Sequence, residues 1–294
     1  MGLLAMAGAV TFFTLIDTSA KWLVLAGLPA LQVVFTRYFM HLVMSLVVFL
    51  PQTGLDGLRS NAPGKQAVRS MFLMLSTVLN FISLKYLPIT VTTTIMFAGP
   101  IAVTLLAIPI LGEKVGIHRI AAVCVGFLGV LVVMQPWGAE FHPAMLLNVA
   151  ALCMASMYFV MTRLLAGIES NATSQIWSAG IASICLAPFA LANWVWPTAP
   201  ADWAFFLLIG IFGGSGHILA TAAHRMADAS ILAPVIYIQI LLATASGVIF
   251  FATWPTVWTL AGGAIIIAAG IYIWHRERGR ITRAATMSKI EPRS

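Results

Sequence analysis

From Ala229 to Trp274 the sequence runs without one charged residue, a stretch too long for a single helix across a bilayer. A spanning helix needs about 20 mostly apolar residues, so this run has to fold back on itself. Thr253-Trp254-Pro255-Thr256 supplies the break, because proline ends a helix and favours a turn. Water is excluded as the solvent: 61% of the chain is hydrophobic and 9% charged, against about 45–50% and 25% in soluble domains.

Applied to the whole chain, the same criteria predict ten spans, at 3–25, 30–51, 68–86, 89–111, 117–135, 142–165, 174–196, 202–223, 230–252 and 256–275. Corners fall at Leu28-Pro29, Leu87-Pro88, Gln135-Pro136 and Trp196-Pro197. The segment Tyr86 to Val133 returns in altered form as Arg225 to Trp274. Each copy has a polar corner, an apolar helix interrupted by proline (Pro100, then Pro234), a tight turn and a glycine-punctuated helix in which Gly129-Val130 matches Gly270-Ile271. A repeat of this size makes two homologous halves, residues 1–138 and 139–276, followed by a basic tail at 277–294. Five spans that start on one face end on the other. The expected fold is therefore an all-α polytopic membrane protein of ten helices in two inverted five-helix repeats, the arrangement from which alternating-access transporters are built.

The net charge of +7 reads as topology. With the N-terminus inside, 13 of the 16 Lys and Arg fall in cytoplasmic segments, including Arg59, Lys65, Arg69, Lys114, Arg119, Arg163, Arg225 and the tail. Lys85 falls outside, and Lys21 and Arg37 lie within spans. The positive-inside rule thus puts both termini in the cytoplasm of a multi-pass inner-membrane protein, and Trp137, Trp194, Trp196, Trp203, Trp254 and Trp258 gather at the outer corners as an aromatic belt. Nucleic acid is not an expected partner. Cys124, Cys153 and Cys185 lie in apolar runs and read as small hydrophobes, so no metal or cofactor is expected. No cleavage motif of a signal peptide follows Met1. The expected partners are the bilayer and a small solute, and the chain is read as a monomer.

Leu84-Lys85-Tyr86-Leu87-Pro88-Ile89-Thr90, Pro100, Leu111-Gly112-Glu113 and Gly126 to Gly129 in the first half have ordered counterparts in the second, Ala229-Ser230-Ile231-Leu232-Ala233-Pro234 and Trp254-Pro255 to Gly270. This pattern resembles the drug/metabolite transporter superfamily in its ten-helix EamA-repeat form, over roughly residues 3 to 275. One departure is Glu113, whose counterpart region reads Phe251-Ala252-Thr253. Within the superfamily the chain is most similar to YddG-type amino-acid exporters. The resemblance implies a central cavity lined by spans one, three, four, six, eight and nine. It also implies export of small metabolites, amino acids first, with vitamins, drugs or nucleotide-sugars as the alternative.

Ionisable groups inside a bilayer are costly and default to functional hypotheses. Asp17 and Lys21 stand at i and i+4, as do Arg37 and His41. Either Lys21 or Arg37 clamps a substrate carboxylate, or Asp17 pairs with Lys21 or Arg37 and holds helices together. The second is preferred, since pairing removes the burial cost without a ligand. Ser76, Asn80 and Ser83 share one face of the third span, and His217, Thr221 and His224 one face of the eighth. They are expected to form opposing cavity walls, against the alternative of interhelical hydrogen bonding. Tyr158, Trp177, Tyr237 and Gln239 offer ring faces and an amide to an aromatic solute, although aromatics at helical spacing more often simply pack. Thr94 either lines the path or bonds back to a helix carbonyl, and Pro100 and Pro234 are hinge candidates. Gly210 and Gly214 permit close helix approach.

Gly213-Gly214-Ser215-Gly216 also matches the G-x-S-G pattern of intramembrane serine proteases. A serine nucleophile needs a histidine in hydrogen-bonding geometry, and neither His217 nor His224 stands at a spacing that delivers one. The chain is expected not to be an enzyme.

Overall fold

Proline sets the corners and apolar length sets the rods. The computed structural model describes residues 1–112, 116–139, 141–226, 232 and 235–290, without the side chains of 107, 111, 119, 224, 225 and 276–290. The described residues form helices and no strand: α1 (Gly2–Leu25), α2 (Ala30–Thr53), α3 (Pro63–Leu84), α4 (Ile89–Met96), α5 (Gly99–Leu111), α6 (Ile117–Met134), α7 (Ala144–Leu164), α8 (Asn171–Ala192), α9 (Pro200–Met226), α10 (Ile238–Phe251) and α11 (Val257–Ile290). Pro29 and Pro88 cap α2 and α4, and Pro63 occupies the first turn of α3, where its missing N–H is one that a helix start leaves unbonded anyway. Ser170 caps α8 by accepting from the Thr173 N–H.

Among the described residues eight stretches are long and apolar enough to cross a membrane, and Ile120–Met134 and Ile238–Phe251 are shorter apolar helices. They stand at the ten places where the sequence predicts spans. The fourth span is not one rod. Phe97 and Ala98 form a turn between α4 and α5, and Pro100 lies in the first turn of α5. Pro234 and Glu113 lie outside the described residues, as does the side chain of His224.

Helices pack across the chain. α1 lies along α9, α3 along α7, α2 along α8, α6 along α11 and α4 along α10. Numbered as spans, these pairs are 1–8, 3–6, 2–7, 5–10 and 4–9; adding five to each span, cyclically, returns the same set. Apolar side chains on the outside, such as Val47, Ile184, Leu241 and Ile249, are 67–75% exposed, which in an aqueous protein would be a liability and in a bilayer is the contact surface. One end of the bundle carries Trp194, Trp196 and Trp203, with Trp196 edge-on to Trp194 and stacked on Trp203. The opposite end carries Arg59 and the basic starts and ends of α3 and α7.

The interior differs between those ends. Towards the tryptophan end, Leu23, Val24, Leu28, Val33, Val34, Phe81, Leu84, Leu186 and Phe206 form one continuous apolar core. Towards the basic end, Ser45, Gln66, Arg69, Ser70 and Ser178 are buried in its place. Hydrogen bonds clasp both ends of the α2–α8 pair. At the tryptophan end the Gln32 side chain donates to Val195 O at 2.6 Å and accepts from Val195 N at 2.9 Å. At the basic end Glu169 Oε1 accepts from Ser60 Oγ at 2.5 Å and Ala62 N at 2.8 Å, while Asn61 Nδ2 donates to Ile168 O at 2.9 Å.

α6 and α11 touch through bare backbone. A Cβ at Gly262 would stand 2.6 Å from Gly129 O and 2.9 Å from Val133 N, and one at Gly129 3.0 Å from Gly262 O. Backbone cannot yield as a side-chain tip can. Gly262→Val is therefore expected to cost about 1–3 kcal/mol, seen as a lower melting temperature of the purified protein. Gly64→Ala, where a Cβ meets nothing within 4 Å, should leave it unchanged.

Candidate functional site

Arg37, His41 and Ser45 recur every fourth residue and so share one stripe of α2. All three are buried, at 5%, 1% and 1% exposure. Arg37 Nε and Nη1 and Ser45 Oγ have no hydrogen-bond partner, and the His41 ring nitrogens make no well-formed hydrogen bond although the Gln175 side chain of α8 approaches the ring. Arg37 Nη2 is 3.5 Å from His217 Nε2, at the outer limit of a hydrogen bond. The stripe faces α9. The His217 ring stacks on His41 at 5.3 Å and 10°, with Phe13 edge-on at 5.4 Å, and the Arg37 guanidinium lies 4.6 Å over the Tyr38 ring.

Glycines on α9 make this approach possible. Any Cβ at Gly210 or Gly214 would collide with Met40 or Met44 of α2, and one at Gly216 would meet Phe13 at 2.9 Å. The Gly213-Gly214-Ser215-Gly216 motif is thus a packing surface. Among the described residues Ser215 makes no hydrogen bond to a histidine, and the nucleophile–base geometry of a protease is missing.

A second polar stripe runs along α3 through Gln66, Arg69, Ser76, Asn80 and Ser83, and most of it is bonded. Arg69 donates to Thr162 Oγ1 at 2.7 Å, Tyr158 OH at 2.9 Å, Ser178 Oγ at 3.0 Å and Ser174 O at 3.3 Å. Ser76 Oγ donates to Ala151 O at 2.9 Å. Asn148 Nδ2 of α7 donates to Asn80 Oδ1 at 2.8 Å and to Ser83 Oγ at 3.3 Å, and Asn80 Nδ2 donates to Asp17 Oδ1 at 3.2 Å. This chain joins α7, α3 and α1 and ends on the carboxylate. Gln66, fully buried, has neither side-chain atom bonded.

The expected pair of Asp17 with Lys21 is not formed. Lys21 Nζ instead donates to Leu84 O at 2.9 Å and Leu87 O at 2.6 Å, the carbonyls that α3 leaves unbonded as it turns into α4. Asp17 and Arg37 are within electrostatic reach of each other without touching. Arg69, assigned from sequence to a cytoplasmic segment, is a buried interior cation.

The remaining expected cavity residues divide. Asp17, Asn80 and His217 come together at the centre with Arg37 and His41, and Thr221 is half-buried one turn beyond His217. Tyr158 reaches the site through Arg69. Ser76 and Ser83 are spent on α7, so the interhelical alternative describes them. Thr94 is fully buried, bonds back to Thr90 O at 2.6 Å, and faces Gly263 of α11. Trp177 Nε1 donates to Leu58 O at 2.9 Å at the basic end. Tyr237 packs edge-on to Phe97 at 5.6 Å, against the side of α11 at Gly270. Thr94, Trp177 and Tyr237 thus stand away from the Arg37–His217 cluster, and Gln239 is half-buried in the first turn of α10. Missed from sequence were Arg69, Gln66 and Asn148. Extending the Ser76–Asn80 stripe back by alternate threes and fours leads to Arg69 and Gln66.

The asparagine relay carries its own test. Asn148→Ala leaves the half-buried Asn80 carbonyl without its donor and is expected to cost about 1–3 kcal/mol. Asn80→Ala,Asn148→Ala together should cost less than the sum of the singles in thermal unfolding.

The model of the EamA-like transporter family matches residues 1–135 and again 143–274. A riboflavin transporter of Rhizobium johnstonii is 28% identical, covering 97% of this chain and 94% of its own. An S-adenosylmethionine uptake transporter of Rickettsia bellii is 26% identical over 91% of each, and the pseudopaline exporter CntI of Pseudomonas aeruginosa is 24% identical over 86% and 89%. A solved crystal structure aligns with a TM-score of 0.59 at 19% identity, covering 90% of this chain and 96% of that one, a likeness of fold alone. None of these three relatives carries the name of an amino-acid exporter, so the narrower resemblance expected from sequence finds no support in them. The multi-pass architecture and both matches agree: the chain belongs to the EamA-like transporter family.

Proposed function

We propose that this transporter carries a small organic metabolite bearing a flat heteroaromatic ring, of vitamin or nucleoside type, by alternating access. The observation that carries the reading is the Arg37 stripe. Buried N–H donors without partners stand beside the stacked rings of His41 and His217, with Tyr38 and Phe13 next to them. Ring faces and in-plane donors are what a flat heterocycle with ring acceptors uses. Relatives named for riboflavin and S-adenosylmethionine, both ring-bearing and both larger than an amino acid, point the same way. Amino-acid export, the first expectation from sequence, is less well supported.

The two family matches and the helix pairs that survive exchange of each span with the one five places on support two inverted repeats. Alternating access follows from rocking such halves about a fixed central site. The apolar core seals the tryptophan end, so this conformation holds its polar interior towards the basic end. We place that end, and both termini, in the cytoplasm of an inner-membrane protein, on the distribution of Lys and Arg.

Vesicles reconstituted with the protein should take up labelled riboflavin or adenosine with saturation, and labelled Phe, Met and Thr no faster than empty vesicles. Transport of the amino acids alone would restore the exporter reading. In whole cells, a cysteine placed at Arg59 should react with a membrane-impermeant thiol reagent only after permeabilisation, and one at Trp196 without it. The reverse result would invert the topology.

A further inference from the structure

We infer that the solute is an anion and that Arg37 is the residue that selects it, an inference that rests on the carrier reading above. Lys21, Arg37 and Arg69 all lie inside spans at 5–6% exposure. Among the described residues no carboxylate comes within ion-pair distance of any of them. Lys21 is answered by two carbonyls, and Arg69 by two hydroxyls of serine and threonine, one phenol and one carbonyl. Arg37 is left over. Two of its three nitrogens have no acceptor and the third has only a distant imidazole.

A guanidinium cannot shed its proton to escape burial, and a buried cation without a counter-charge is strongly unfavourable. Asp17 does not supply that charge by contact, and one of its oxygens already accepts from Asn80. Asp202, at the tryptophan end, gives its oxygens to Trp22 Nε1 and Ala199 N. Among the described residues, three interior cations stand against Asp17 and Asp202, an excess of positive charge. Facing Arg37, α9 presents Gly213, where even an added Cβ would stand 3.7 Å from Nε, so bare backbone rather than a side chain covers this donor. A carboxylate or phosphate brings the charge and the paired oxygens that a guanidinium bonds best. The ring nitrogens of His41, approached by Gln175, lie on the same stripe and offer a further polar contact. A neutral vitamin would leave Arg37 unanswered.

The test compares matched neutral and anionic probes by thermal shift on the purified full-length chain: adenosine with adenosine monophosphate, riboflavin with flavin mononucleotide, benzamide with benzoate. A ligand that binds only the folded state raises its melting temperature. In the wild type, the anionic member should act at a concentration about tenfold lower or less, the least expected of a charge-assisted contact. Arg37→Gln should abolish that preference, and without ligand it should melt no lower than the wild type, because it removes an unpaired buried charge. Equal action of the two members in the wild type overturns the inference and leaves the carrier reading standing. A marked fall in the ligand-free melting temperature of Arg37→Gln also overturns it, since Arg37 would then be structural. If none of the four ring compounds acts, the heteroaromatic reading fails instead, and benzoate against benzamide decides the charge alone. Adenosine monophosphate against benzoate separates phosphate from carboxylate as the preferred group.

Discussion

A polar atom inside a bilayer has no water to fall back on, so it must be met by protein or wait for a ligand. α3 and α2 answer this requirement in opposite ways. Along α3, Arg69, Ser76, Asn80 and Ser83 are bonded to α7, α8 and α1, which makes the stripe an internal scaffold. Along α2, Arg37, His41 and Ser45 keep unsatisfied atoms although they too are buried. Buried polar groups are usually bonded in stable proteins, so a whole stripe left open is a feature to be explained by what enters, and the solute reading follows from that contrast.

The scaffold also explains how the open stripe stays open. Arg69 is held by four partners and by the Tyr158 ring at 4.6 Å, so four of its five N–H donors are engaged on α7 and α8. The Asn148–Asn80 relay holds Asp17 from the α3 side, and Lys21 is drawn the other way, to the α3–α4 corner. Asp17, the carboxylate near Arg37, is thereby held from the α3 side, while Lys21 and Arg69 are answered by neutral groups elsewhere.

Much of the architecture was legible in the sequence because its causes are local. Pro29, Pro63, Pro88 and Pro200 act on the residues beside them, and apolar length needs no knowledge of partners. The spacing of Arg37 and His41, and of Ser76 and Asn80, also needs only the helical repeat. What failed depended on facts the chain does not carry locally. Lys21 finds carbonyls that exist only because α3 unwinds at Leu84 to Leu87, which spacing alone cannot show. Arg69 was counted with the loop charges, since that count does not separate a charge just inside a helix end from one just beyond it. At roughly 1.5 Å per residue it stands about 9 Å inside the start of α3. Thr94 and Tyr237 follow the second of the two readings the sequence allowed them, since the rotation of a helix about its own axis is fixed by its neighbours, here Gly263 and Gly270 of α11.

The clasps at Gln32–Val195 and Ser60–Glu169 bear on how such a molecule can move. With α2 tied to the end of α8 at one side of the membrane and the segments leading into α3 and α8 tied together at the other, α2 and α8 would act as an axle in the carrier cycle proposed above, and the helices flanking them would supply the swing. Arg37 is mounted on that axle. The charge that meets the solute would hold its station while the walls around it change sides, and the cargo would be passed across the membrane without being carried any distance by its anchor.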